Sequence, residues 1–293
     1  MTRKTRMADK NKHSTSQLFN FAKESYLERT SRPIYAIVFL LPFIIFYEVG
    51  TILINTDVLN QTQVRIVAFV WLQNFLEHIG FGSKLAWATP PLVVVVTLVA
   101  MQLASRRSWH FGFGDIWPMA VESILLAVPL IVLSLFLSSP PTGGIEGAAL
   151  AAVEAEGGGG FLLADIVTAI GAGIYEELVF RLILICVLML VFEDLLGFSR
   201  RNSIIISVFI SAALFSVHHH IDFFTGQMNQ RDIFSWAKFG FRTVAGIYFA
   251  VVFAIRGFGI TAGTHAFYDI IATIINAVFF PGGEKLAGWF FVS

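Results

Sequence analysis

Apolar residues fall in long runs along this chain, separated by short polar breaks. From Pro33 onward the runs repeatedly reach about 20 residues, the length a helix needs to cross the hydrocarbon core of a bilayer. The clearest are 33–54 (PIYAIVFLLPFIIFYEVGTILI), 85–104 (LAWATPPLVVVVTLVAMQLA) and 116–138 (IWPMAVESILLAVPLIVLSLFLS). Runs at 161–197, 203–219, 233–255 and 258–280 follow. The stretch 62–79 (TQVRIVAFVWLQNFLEHI) carries Arg65, Glu77 and His78, and predicts an amphipathic helix lying in the interface. No period-two alternation stands out, and no internal repeat is visible. The expected fold is all-α, a polytopic transmembrane bundle of about seven to eight helices.

The polar breaks organise these helices. Residues 1–32 form a polar, basic tail with eight Lys/Arg against three acids, and lack the apolar middle of a signal peptide. The N-terminal helices then occupy 33–138. The segment 139–160 (SPPTGGIEGAALAAVEAEGGGG) has no Lys or Arg and reads as a flexible linker. A C-terminal membrane core is expected over 161–281, with a short C-terminal tail at 282–293. With the N-terminus inside, the inner segments 1–32, 105–115, 198–202 and the corner at Arg256 hold 13 Lys/Arg. The outer segments hold four, or six with Lys238 and Arg242 counted, which predicts a multi-pass protein with a cytoplasmic N-terminus.

Composition sharpens the class. Charged residues are 14% of 293, where soluble domains run near a quarter, so the lipid bilayer is the main solvent. The formal net charge of zero argues against nucleic acid as a partner. Cys186 is the one cysteine, which leaves no intrachain disulfide and no thiol-built zinc site.

Against this background the stretch "IYEELVFR", 174–181, is anomalous: it sets Glu176, Glu177 and Arg181 inside an apolar run. A charge at bilayer depth costs at least about 2.5 kcal/mol. Positions four apart share a helix face, so Glu177 and Arg181 can pair. Glu176 points about 100° away and stays available for chemistry. A buried pair that merely fixes helix register is the alternative. In "LFSVHHHIDFF", 214–224, His219 follows Phe215 by four, while His218 and His220 are expected to be solvated at the interface. In "TAGTHAFYDII", 261–271, His265 and Asp269 are four apart; an Asp that orients a His for packing is the alternative there. Three helices carrying ionisable groups in apolar surroundings predict one shared intramembrane active-site cavity.

The forms EExxxR at 176–181, FxxxH at 215–219 and HxxxD at 265–269, in this order on separate apolar helices, resemble the CPBP family of intramembrane proteases. That family includes the type II CAAX prenyl endopeptidases and bacterial bacteriocin-processing and immunity proteins. The resemblance covers roughly residues 160–281; the first 140 match only as apolar helices. It implies catalytic positions at Glu176, Glu177, Arg181, His219, His265 and Asp269. The last position is Asn or Asp in the family. An ionised Asp269 cannot donate to an oxyanion as an amide does, so it is either protonated there or orients His265.

The implied reaction is hydrolysis of a peptide bond in a membrane-associated peptide or protein, prenylated or not. A glutamate held away from water is a better base, so Glu176 is expected to activate the water and His219 to position it. Glu177 and Arg181 then hold the helix, and His265 with Asp269 serves the oxyanion. The zinc signature HExxH is absent, yet Glu176, His219 and His265 offer a two-His, one-carboxylate set for a divalent metal such as Zn. The family has been described both as metalloproteases and as metal-free glutamate proteases; Arg181, beside the acids, opposes a dication. Two other readings stand beside proteolysis. One is a catalytically silent membrane scaffold; the other is a proton-coupled transporter, although no repeat halves or paired broken helices are seen. No GxSx-type serine nucleophile sits in a span, although Ser211 and Ser216 lie near the histidines.

Overall fold

The computed structural model describes residues 21–22, 24–55, 67–78, 80, 88–137, 158–221, 223, 228 and 234–279. The first twenty residues of the tail, most of the Gly/Ala-rich linker and the 282–293 tail lie outside the described residues. The chain is all-α: among the described residues the one β feature is an isolated bridge between Ile221 and Met228.

The helices are α1 (Tyr26–Thr30), α2 (Pro33–Asn55), α3 (Val67–His78), α4 (Thr89–Ser105) and α5 (Ile116–Leu137). Next comes α6 (Gly158–Glu177), continued by a π turn (Leu178–Leu184), α7 (Ile185–Met189) and a second π turn (Leu190–Leu195). The last three are α8 (Arg200–His218), α9 (Trp236–Arg256) and α10 (Phe258–Phe279). Their starts follow local chemistry. The hydroxyl of Ser25 accepts from Glu28 N at the head of α1, and that of Ser199 from Asn202 N at the head of α8. Pro33 opens α2, where its missing N–H leaves no bond unmade. Gly257 turns the corner from α9 to α10 at φ +78°, a conformation costly for any side chain with a Cβ.

Among the described residues, five helices have the length and hydropathy of a membrane span: Pro33–Ile54, Phe113–Leu137, Arg200–His218, Trp236–Arg256 and Phe258–Val278. Thr89–Ser105 is apolar but shorter. α2 shows how they pack. Tyr35, Phe39, Leu40, Ile44 and Tyr47 are buried at helical spacing, while Leu41, Ile45, Phe46, Ile52 and Leu53 are exposed. In water that exposed apolar face would be a liability, and in lipid it is the solvated side. The chain is an integral membrane protein.

α10 lies at the centre. About 72% of its span is buried, against 22–39% for the other four, and α6, α5, α2 and α9 pack around it. Gly173 on α6 makes this possible, because a Cβ there would lie 2.5 Å from Ala266 N on α10. α3 corrects the sequence expectation in part. It is helical and too short to cross, but its buried Phe69, Trp71 and Leu72 pack into the bundle rather than only floating at an interface. The N-terminal helices are likewise not a separate layer, since residues of α2 and α6 share one apolar core.

At one end, α1 is fastened by charges. Arg29 pairs with Asp115 at 2.9 Å, Arg32 with Glu28 at 2.7 Å and Arg107 with Glu28 at 3.2 Å. Arg256, at the end of α9, pairs with Glu122 and donates to Leu27 O. Residues 24–32, the 107–115 connection and the Arg256 corner therefore share one face of the bundle.

Candidate active site

The acid pair ends α6 where the helix widens into its first π turn, a feature common at functional sites. Within that turn Phe180 O also accepts from Ser211 Oγ on α8 at 2.7 Å. That bond ties the acid-bearing helix to the histidine-bearing one. Arg181 lies in the π turn, fully buried, with its Nε 3.1 Å from Glu177 Oε2 and its guanidinium over the Phe215 ring at 4.2 Å. Its Nη2 also donates to Gly246 O on α9 at 3.4 Å.

Glu177 does two things at once. While Oε2 faces Arg181, Oε1 lies 2.8 Å from His265 Nδ1. The other ring nitrogen, His265 Nε2, is 3.3 Å from Asp269 Oδ2 and 3.9 Å from Glu176 Oε2. His265 stacks on Phe249 at 4.5 Å between centroids, which fixes the plane of the ring. The four-residue spacings read from the sequence thus become two contacts, Glu177 to Arg181 and His265 to Asp269, bridged by Glu177 to His265.

The histidine run departs from expectation. His218, His219 and His220 are all buried, so none is a solvated interfacial residue. His218 is the one that faces the acid, with Nε2 3.6 Å from Glu176 Oε1. Its ring is enclosed by Trp71, Phe180 and Phe215. The Nδ1 atoms of His218 and His219 both face Phe215 O, His219 at 2.9 Å. His220 Nε2 lies 3.3 Å from Arg242 Nη1, away from the acids. α8 ends at His218, and His219 follows as its cap with helical backbone angles, φ −72° and ψ −24°.

Ligand atoms of Glu176, His218 and His219 lie within 4.8 Å of one another, a donor set that suits a divalent metal. This differs from the set Glu176, His219 and His265 expected from the sequence: His218 stands in the place given to His265. His218 and its neighbour Trp71 are the residues that sequence reasoning missed. A run of three histidines gave no signal for choosing among them.

Glu176, Glu177, Arg181, His218, His219, His265 and Asp269 come from three helices that are far apart in sequence and converge in one buried cluster. Residues 158–271, which carry the cluster, match the family described as type II CAAX prenyl endopeptidase Rce1-like. No curated protein and no solved structure matches the chain. Over residues 158–271 the chain is thus similar to the CPBP family of intramembrane proteases, which includes the type II CAAX prenyl endopeptidases.

Proposed function

We propose that the chain is an intramembrane endopeptidase in which Glu176 is the base for the water that attacks a peptide bond. The observation that carries this is the way Glu176 and His218 face each other. A carboxylate only accepts hydrogen bonds, and a neutral His218 that donates Nδ1–H to Phe215 O presents Nε2 as a second acceptor. Two acceptors 3.6 Å apart do not bond directly. A water donating one proton to each would reconcile them, and it would lie within reach of a base able to deprotonate it.

The steps follow from the residues. Water oxygen bonds to the carbonyl carbon as its proton passes to Glu176. When the tetrahedral species collapses, the carbon–nitrogen bond breaks and Glu176 returns that proton to the leaving amine. His265, held by Asp269 on the side facing Glu176, is the donor for the oxyanion. Glu177 and Arg181 fix His265 and the helix from behind. A divalent ion would be held by Glu176, His218 and His219 and would supply an acidified water. The substrate is a membrane-associated peptide or protein. The face that carries α1 and Arg256 is assigned to the cytoplasm, in line with its excess of Lys and Arg.

Substrate trapping tests the reading. Glu176→Gln should retain a membrane-associated protein that the wild type releases. A synthetic peptide from that partner, made with and without a prenyl group, should be cut by the wild type. A scaffold or a proton carrier would leave both peptides intact, and that result would overturn the proposal. Elemental analysis and activity after chelation, run on the same preparation, separate the metal-free form from the metal-bound one.

A further inference from the structure

Glu48 is a further acid within an apolar helix, outside the residues that match the family. It lies well inside α2, flanked by Ile45, Phe46, Val49 and Ile52, all of which face lipid. An acid at such a depth is costly and marks a functional position by default, with its partner to be named. One partner is Tyr175, whose hydroxyl donates to Glu48 Oε1 at 3.1 Å. Tyr175 immediately precedes the Glu176–Glu177 pair. Its buried ring meets Phe69 of α3 edge-on at 5.0 Å and Tyr47 of α2 at 5.4 Å. α2 comes close enough for this because position 50 is glycine; a Cβ there would run into Val167 of α6.

We infer that Glu48 and Tyr175 are a positioning pair that sets the rotation of α6 and so aims Glu176. Successive residues of that turn are held from different sides: Gly173 against α10, Tyr175 by α2 and α3, Glu176 towards α8, and Glu177 by Arg181 and His265. Side chains reach about 5–6 Å from a helix axis, so a rotation of about 20° moves a carboxylate by about 2 Å. A misplacement of about 1 Å is enough to cost roughly 100-fold in rate.

The kinetic arm of the test rests on the protease reading above; a second arm does not. Tyr175→Phe keeps the ring and removes only the hydroxyl. It should lower kcat by about tenfold or more with KM within about twofold and an unchanged melting temperature. Glu48→Ala should do the same, Glu48→Gln should largely restore activity by keeping an acceptor, and the double variant should be no worse than either single one. Independently of activity, the ¹⁵N imidazole signals of His218 and His265 should shift in Tyr175→Phe and recover in Glu48→Gln, while exposed His110 stays put. Wild-type kcat together with unshifted histidine signals in Tyr175→Phe would overturn the inference. If the wild type cleaves nothing, the protease reading fails and the histidine shifts alone decide this one.

Discussion

His218 and His219 stand one position apart and present different faces to the same acid. His218 Nε2 lies 3.6 Å from Glu176 Oε1, and the His218 and His219 rings are 3.9 Å apart between centroids. Loss of a group that holds the attacking water is worth about 10²–10⁴ in rate. His218→Gln is therefore expected to lower turnover within that range while the protein still folds. His220→Gln, which touches Arg242 instead, should cost far less turnover. Rates on purified, monodisperse variants check this, and equal losses in His218→Gln and His220→Gln would contradict it. At this scale the sequence was readable wherever helix periodicity holds. Glu177 to Arg181 and His265 to Asp269 are true i to i+4 neighbours. The choice among the histidines was not readable, because three identical side chains in a row carry no signal for which one faces the acid.

α6 and α10 carry four of the six residues predicted from the sequence as helix-borne pairs, and their approach depends on one missing side chain. A valine at 173 would force Ala266, next to His265, to move. Overpacking of this kind costs about 1–3 kcal/mol. Gly173→Val is expected to lower the melting temperature modestly and to remove most of the activity, because the strain falls beside His265. Thermal unfolding in detergent and turnover measured together check it; full activity would show that this close approach does not position the site. The helices themselves were legible from apolar run length, to within a few residues at each end. The two π turns were not, since an extra residue in a turn leaves no mark in an apolar sequence. The buried face of α3 was hidden too, because Arg65, Glu77 and His78 make the segment read as interfacial.

For the whole molecule, the orientation rests on the charged face around α1. Burial pushes the Glu28 carboxyl up, but Arg32 and Arg107 outweigh it and hold it below its usual value. A carboxyl depressed in the folded state stabilises above its unfolded value, about 4.3, and that contribution fades as pH falls through the folded value. The attachment of α1 should thus be constant from neutral pH to about 5 and weaken below about 4. Hydrogen exchange of residues 24–32, corrected for intrinsic rates, reads this out. Glu28→Gln should weaken the attachment at neutral pH and flatten the pH response. Protection unchanged down to about pH 3 would contradict the account. The sequence indicated which segments share a charge bias, but not that Arg256, Glu122 and α1 meet, since those contacts join residues more than a hundred positions apart. Nor did it show that α2 and α5 wall the site rather than standing apart from the core.

The central claim is that Glu176 deprotonates the attacking water, and single-turnover cleavage of a trapped substrate's peptide by wild type and Glu176→Gln tests it most directly. The amide keeps the size of the side chain and removes the base. Glu176→Gln should still fold, insert and bind the peptide, with cleavage reduced to background. Cleavage by Glu176→Gln at the wild-type rate would contradict the account.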